Sequence, residues 1–171
     1  EIELVNYISE LLNKQGISHN VDYFMPHDYC NVAPKNKKTA NIYVEFGNGS
    51  ETLIVYAHTD VVEGRKEQFS PKVEGNKLFG RGSSDMKSSL AGSLSFILDN
   101  QDYLSSLSKR VIFVFIADEE TTATGARRFL EYLKNRDLGK IQIVLMEPSN
   151  GFSEISRGGK GYHFINLEGS M

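Results

Sequence analysis

Residues 53–60 have the sequence Leu-Ile-Val-Tyr-Ala-His-Thr-Asp, an apolar run that ends in polar residues. Five apolar residues in succession are typical of a strand that is buried on both faces. The pattern recurs twice: the wholly apolar residues 111–117 precede Asp118-Glu119-Glu120, and the mostly apolar residues 141–146 precede Glu147-Pro148. We therefore predict three buried strands, each ending in residues that can bind metal or transfer protons.

The segments around these strands set the fold class. Apolar residues recur at helical spacing in residues 1–15, 86–99 and 125–134, and each of these segments is predicted to be a helix. From residue 53 onward the main order is strand, helix, strand, helix, strand, which predicts a largely parallel sheet with helices on both faces. The fold class is thus α/β, a three-layer αβα sandwich with a largely parallel central sheet.

Turn signals predict further elements on either side of this core. Residues 17–24 and 41–46 are predicted strands, and Gly47-Asn48-Gly49 after the second of them is typical of a hairpin. Residues 73–79 are predicted to form a smaller hairpin, with Gly75-Asn76 inside it. From residue 153 the sequence indicates a strand, a glycine-rich turn and another strand.

Length and charge exclude several classes of protein. The 171 residues correspond to about one domain. With 19 Lys+Arg against 22 Asp+Glu the net charge is −3, whereas nucleic-acid and membrane-surface modules are usually strongly basic. The apolar run at residues 111–117 is too short to span a bilayer. The single cysteine, Cys30, cannot form an internal disulfide, which favours a reducing compartment, the cytoplasm.

The polar residues at the strand ends are predicted to meet at one edge of the sheet, because sites in open α/β sheets form at the carboxyl ends of the strands. Taken singly, each has an ordinary explanation: His58 as a hydrogen-bonded residue, Asp85 as a helix-capping acid, Glu119 and Glu120 as solvated acids, Glu147 as a strand end. Together, one imidazole and several carboxylates would repel one another without a cation, and this favours one or two metal ions.

Four separate motifs, in order, carry a resemblance to a known family. They are Tyr-Ala-His-Thr-Asp-Val-Val at residues 56–62, Gly-Arg-Gly-Ser-Ser-Asp-Met-Lys at 80–87, Ala-Asp-Glu-Glu at 117–120 and Met-Glu-Pro-Ser at 146–149, with a weaker match at 155–162. The sequence resembles the M20 family of dinuclear zinc metallohydrolases, which includes succinyl-diaminopimelate desuccinylases, acetylornithine deacetylases, aminoacylases and carboxypeptidase-like peptidases.

The resemblance implies a role for each residue of the candidate site. His58 and Glu147 correspond to ligands of the first zinc, Glu120 to a ligand of the second, and Asp85 to the carboxylate that bridges the two zinc ions. Asp60 corresponds to the residue that orients His58, and Glu119 to the general base. The resemblance also implies a cis peptide bond between Asp85 and Met86. Co²⁺ or Mn²⁺ are possible substitutes for the two Zn²⁺ ions.

The implied reaction is hydrolysis of the amide bond of a small-molecule substrate, an N-acyl amino acid, through a metal-activated water. Two alternatives stay open: an exopeptidase or dipeptidase of the same family, and a non-catalytic metal-binding module that keeps the fold.

Two features of the family have no counterpart in these 171 residues. The second zinc takes a further histidine from late in a longer chain, and a lid and dimerisation domain is inserted after the glycine-rich tail. We therefore expect residues 1–171 to be a catalytic, metal-binding domain truncated at the boundary to that lid domain, and inactive alone. We also expect an exposed sheet edge, and a parent protein that forms a homodimer through the missing domain.

Overall fold

A computed structural model of the protein describes residues 1–31 and 33–148. Its helices are α1 (Ile2–Lys14), α2 (Lys87–Asp99), α3 (Gln101–Ser106), α4 (Glu119–Thr122) and α5 (Thr124–Leu133). Its strands are β1 (Asn20–Phe24), β2 (Thr39–Phe46), β3 (Glu51–His58), β4 (Lys72–Glu74), β5 (Lys77–Phe79), β6 (Arg110–Ile116) and β7 (Lys140–Leu145). Short 3-10 turns lie at Pro26–Asp28 and Lys66–Phe69. The predictions for residues 149–171 lie outside the described residues.

Five strands form one mixed sheet in the order β1-β2-β6-β3-β7. Strand β3 pairs in parallel with both β6 and β7, whereas β2 pairs antiparallel with β1 and with β6. The parallel centre with helices on both faces confirms the predicted αβα sandwich. Strands β4 and β5 form a separate two-stranded antiparallel sheet, which confirms the smaller hairpin.

Each face of the sheet has its own apolar core. On one face, α1 and α2 pack against the sheet through side chains such as Ile8, Leu12 and Ile97, none of which is exposed. On the other face, Phe129 and Leu133 of α5 pack against the sheet. Burying one such side chain contributes roughly 1.5–3 kcal/mol, so both faces stabilise the sheet.

The hairpin predicted at Gly47-Asn48-Gly49 is wrong. Strands β2 and β3 are not neighbours, because β6 lies between them and pairs with both. The two glycines serve a different purpose: a Cβ on Gly47 would lie 2.2 Å from the Lys109 carbonyl oxygen, and one on Gly49 would lie 1.9 Å from that of Ser108. Glycine is needed here because the segment entering β6 passes directly against this turn.

The prediction that β7 is buried is also wrong. Strand β7 is an edge strand, and Ile143, Val144 and Leu145 are each about half exposed, at 48%, 44% and 49%. Its apolar sequence does match that of a parallel strand, but within residues 1–31 and 33–148 nothing pairs with its outer edge. Sequence patterns also gave no signal for the short helices α3 and α4. No helix in the described part of the chain is long and apolar enough to cross a membrane.

Candidate metal centre

The parallel strands place the candidate residues at one edge of the sheet. In the register of β3, His58 lies opposite Ile116 of β6, and Tyr56 lies opposite Leu145 of β7. The carboxyl ends of β3, β6 and β7 therefore lie side by side. Glu119, after β6, and Glu147, after β7, follow these ends closely in the chain. This is the edge at which sites of open α/β sheets form.

Three side chains form a compact group there. The Nε2 atom of His58 lies 3.1 Å from Oδ1 of Asp85 and 3.7 Å from Oε1 of Glu147. One ligand atom from each of the three residues lies within 4.8 Å of the other two. The imidazole is buried with 1% of its side chain exposed, whereas 52% of Asp85 is exposed. The group is thus held from within the fold and open to solvent on one side.

A glycine-rich turn brings Asp85 to this group. Gly82 has a φ of +84°, and a Cβ there would lie 2.7 Å from Cγ1 of Val61, so the turn packs closely against the segment that follows β3. The peptide bond between Asp85 and Met86 is cis, which confirms the expectation from the resemblance. Helix α2 begins immediately afterwards at Lys87.

Asp60 connects the imidazole to the Glu119-Glu120 segment. Its Oδ1 and Oδ2 atoms accept hydrogen bonds from the backbone N–H groups of Glu119 (3.1 Å) and Glu120 (2.9 Å). Oδ1 also lies 3.5 Å from Nδ1 of His58, and the Asp60 backbone carbonyl lies at 3.2 Å from the same nitrogen. Asp60 therefore fixes the backbone of the two glutamates as well as the imidazole of His58. The sequence indicated only the contact with His58.

Glu119 and Glu120 lie on the short helix α4, between two residues in the left-handed backbone conformation, Asp118 (φ 57°) and Ala123 (φ 53°). Neither glutamate belongs to the compact group of three ligand atoms. Burial raises the pKa of the Glu120 carboxyl group, and the nearby charge of Asp85 raises it further. The structure thus brings His58, Asp85 and Glu147 together and places the two adjacent glutamates beside them.

The turn before Glu119 is held by contacts that the sequence did not indicate. The buried carboxylate of Asp118 accepts hydrogen bonds from the Thr122 hydroxyl and from Nζ of Lys37, which lies at 3.0 Å. Lys37 also pairs with Glu1 at 2.6 Å. These contacts join residues far apart in the chain, so no local sequence pattern predicts them. A lysine in a polar turn is usually solvated.

Negative charge dominates the electrostatics of the group. Burial by itself would lower the pKa of His58, but the hydrogen bond to Asp60 and the charges of Glu147, Asp60 and Glu119 outweigh it and raise that pKa to about 9. Burial, with repulsion from Asp85 and Glu119, raises the pKa of Glu147 to about 7 despite the opposing influence of His58. The site therefore retains protons that a cation would displace.

This donor set fits a divalent metal ion. Zn²⁺ binds imidazole nitrogen and carboxylate oxygen together, and His58, Asp85 and Glu147 offer one nitrogen and two carboxylates. Because the ligands must be deprotonated, metal binding releases protons. The raised pKa values of His58 and Glu147 reflect the excess of negative charge at this point, which a divalent cation would neutralise.

The model of peptidase family M20/M25/M40 matches residues 54–157, which include all the candidate residues. The chain belongs to this family. Among its curated relatives are succinyl-diaminopimelate desuccinylases: that of Rickettsia rickettsii (strain Sheila Smith) is 29% identical over 182 residues, covering 96% of this chain and 45% of the relative. That of Rickettsia bellii (strain OSU 85-389) is 30% identical over 157 residues, covering 85% of this chain and 37% of the relative.

Two solved structures share the fold. The M20 family metallo-carboxypeptidase Sso-CP2 from Sulfolobus solfataricus superposes with a TM-score of 0.60 at 23% identity, over 84% of this chain and 32% of its own. Human carnosine dipeptidase 1 gives a TM-score of 0.64 at 18% identity, with the same coverage of 84% and 32%. The chain thus spans less than half the length of these curated relatives and solved structures.

Proposed function

We propose that residues 1–171 are the metal-binding part of the catalytic domain of an M20 hydrolase that cleaves the amide bond of an N-acyl amino acid, as a deacylase or desuccinylase. One observation carries the proposal: His58, Asp85 and Glu147 present ligand atoms within 4.8 Å of one another at the carboxyl edge of the sheet. The similarity to succinyl-diaminopimelate desuccinylases, at 29–30% identity, supports the acyl-amino-acid class of substrate.

His58, Asp85 and Glu147 would hold one zinc ion, and Asp85 with Glu120 would provide protein ligands to a second. A zinc ion held by these residues would polarise a carbonyl group and lower the pKa of a bound water. The exposed side of Asp85 leaves the group accessible to a small substrate from solvent.

Glu119 is suited to move the proton. Burial raises the pKa of its carboxyl group, and the charges of Asp60, Glu120 and Asp85 raise it further, although His58 opposes them. A carboxylate whose pKa is raised toward the working pH is a better general base. Asp60 holds the Glu119 backbone by a hydrogen bond of 3.1 Å, which keeps this carboxylate beside the ligand group.

The assay that tests the proposal compares substrate classes. The 171-residue chain, and the longest reading frame that contains it, would be supplied with Zn²⁺ or Co²⁺ and tested on N-succinyl amino acids, N-acetyl amino acids and dipeptides. We expect the longer protein to release the acyl group and the 171-residue chain to be inactive. Cleavage of dipeptides alone would assign a peptidase instead, and a metal-loaded longer protein inactive on all three classes would contradict a hydrolase.

A further inference from the structure

Three consecutive residues at the start of α2 contact the segment that carries His58. Oδ1 of Asp85 lies 3.1 Å from the His58 imidazole, and Sδ of the fully buried Met86 accepts the His58 backbone N–H at 3.1 Å. Nζ of Lys87 donates to the backbone carbonyl of Thr59 at 2.6 Å. The turn that supplies one candidate ligand therefore holds the backbone that supplies another.

Thr59 extends this connection to β6. Its backbone N–H and its hydroxyl group both donate to the carbonyl of Ile116, at 2.7 and 3.1 Å. Since Thr59 is buried, its carbonyl needs a partner inside the protein, and Lys87 provides it. A single ammonium group thus joins the beginning of α2 to the ends of β3 and β6.

The position of Lys87 is costly for a lysine. It is the first residue of α2, where the helix dipole disfavours a cation, and the first turn of this helix contains no acidic residue. Its side chain is also partly buried, which costs further hydration of the charge. Its stem packs against the Gly82 turn, where a Cβ would lie 3.3 Å from Cδ. The helix itself gains nothing from a cation at this point.

We propose that Lys87 is a positioning residue of the metal centre, which sets the spacing between the His58 and Asp85 ligand atoms by holding the Thr59 carbonyl. The inference rests on the proposed function, because it assumes that these atoms bind metal. In this proposal Lys87 contacts neither the ligand atoms nor the substrate. Its effect passes through the backbone of residues 58–60.

The test uses Lys87→Met, which keeps the aliphatic stem and removes the donor, and Lys87→Arg, which keeps a charged donor. Lys134→Met is the matched control, because Lys134 is exposed and forms no ion pair among residues 1–31 and 33–148. Zinc affinity is measured by chelator competition and the coordination geometry by the absorption spectrum of bound Co²⁺. We expect Lys87→Met to weaken zinc binding roughly 10–100-fold and to change the spectrum, while Lys87→Arg restores most of the affinity and Lys134→Met changes neither.

Wild-type zinc affinity and an unchanged Co²⁺ spectrum in Lys87→Met would overturn the inference, even if that variant were less stable, because Lys87 would then have a purely structural role. Should Lys87→Met not fold, Lys87→Leu, which also lacks a donor, replaces it with the same interpretation of each result. If the wild-type chain bound no zinc, the proposed function would fail. Amide hydrogen exchange at Thr59 of the metal-free chain would then decide: faster exchange in the Lys87 variant supports the contact, and equal exchange overturns it.

Discussion

Glu119 is the residue on which the proposed chemistry depends. Its backbone is fixed by Asp60 and its carboxyl group lies beside the ligand group without belonging to it. Glu119→Gln keeps the shape of the side chain but cannot accept a proton. In a form of the protein that hydrolyses an N-acyl amino acid, we expect turnover to fall about 10²–10⁴-fold, with zinc affinity unchanged.

Steady-state kinetics and chelator competition on the same preparation check this prediction. Glu10→Gln is the control, because Glu10 is exposed and forms no ion pair within residues 1–31 and 33–148. Near-normal turnover in Glu119→Gln would remove the general-base role, and loss of zinc would reassign Glu119 as a ligand.

At the residue scale, the sequence could indicate His58, Asp85 and Glu147 because ligand-type side chains follow apolar runs or a glycine-rich turn. It could not indicate that Lys37 meets Asp118 or that Lys87 meets Thr59. Those contacts depend on how separate segments stack in three dimensions, and they leave no periodicity in the chain.

At the element scale, the close packing of α5 against β6 can be tested at a glycine. A Cβ on Gly125 would lie 2.0 Å from the Ala117 carbonyl oxygen and 2.9 Å from Oδ1 of the buried Asn41. The Nδ2 group of Asn41 also donates a hydrogen bond to the Gly125 carbonyl at 2.8 Å. The Cβ could be accommodated only if α5 moved away from Ala117. We expect Gly125→Ala to lower the free energy of unfolding by about 1–3 kcal/mol in urea titrations.

Gly92→Ala is the matched control for that substitution. Gly92 lies inside α2 with nothing within 4 Å of the position of its Cβ. The same change should therefore raise the free energy of unfolding by about 0.5–1 kcal/mol. Equal effects at the two positions would show that helix propensity, and not the contact with β6, governs Gly125.

A second test at this scale concerns the contacts between β2 and the end of α5. Burial disfavours ionisation of Glu45, but its bonds to Arg136, at 2.7 Å, and to the Tyr132 hydroxyl outweigh burial and lower its pKa below the ordinary 4.5. A carboxyl group whose pKa is lowered by folding stabilises the fold at pH values above its ordinary pKa. This stabilisation is lost as the pH falls through the pKa of the folded state.

Unfolding of Glu45→Gln by urea at several pH values checks this. The variant should be less stable than the wild type by on the order of 1 kcal/mol at pH 7, and the difference should shrink below pH 4.5. Glu10→Gln should show no such convergence. A difference that stayed constant down to acid pH would mean that ionisation of Glu45 does not stabilise the protein.

The helices and strands also show which parts of the fold sequence patterns can predict. Apolar periodicity placed α1, α2 and α5, because each buries one face against the sheet. It misplaced the partner of β2, because Gly47-Asn48-Gly49 has the composition of a hairpin turn while β6, from far along the chain, forms the pairing. Strand order depends on long-range pairing, which local composition does not encode.

At the scale of the whole molecule, the outer edge of β7 makes the 171-residue chain prone to self-association. Ile143, Val144 and Leu145 are exposed on an edge strand whose outer side has no partner among the described strands. Such an edge can pair with another chain, and a lysine on it blocks that pairing. We expect the isolated chain to form dimers or larger species with rising concentration, and Val144→Lys to remain monomeric.

Sedimentation equilibrium over a range of concentrations measures this. Val73→Lys is the control, since Val73 is 71% exposed but lies on the separate two-stranded sheet. A wild-type chain that is monomeric at every concentration would contradict the prediction. An equal effect of Val73→Lys would show that general surface hydrophobicity, and not the β7 edge, causes association.

The central claim is that His58, Asp85 and Glu147 together bind a metal ion. The most direct measurement is an anomalous difference map at the zinc absorption edge, from crystals of the wild-type chain grown with zinc. The prediction is a peak bound by Nε2 of His58, at about 2.0–2.1 Å, and by carboxylate oxygens of Asp85 and Glu147, which is absent from the His58→Ala/Asp85→Ala double variant. A map without a peak at these residues, or with zinc bound only elsewhere, would contradict the claim.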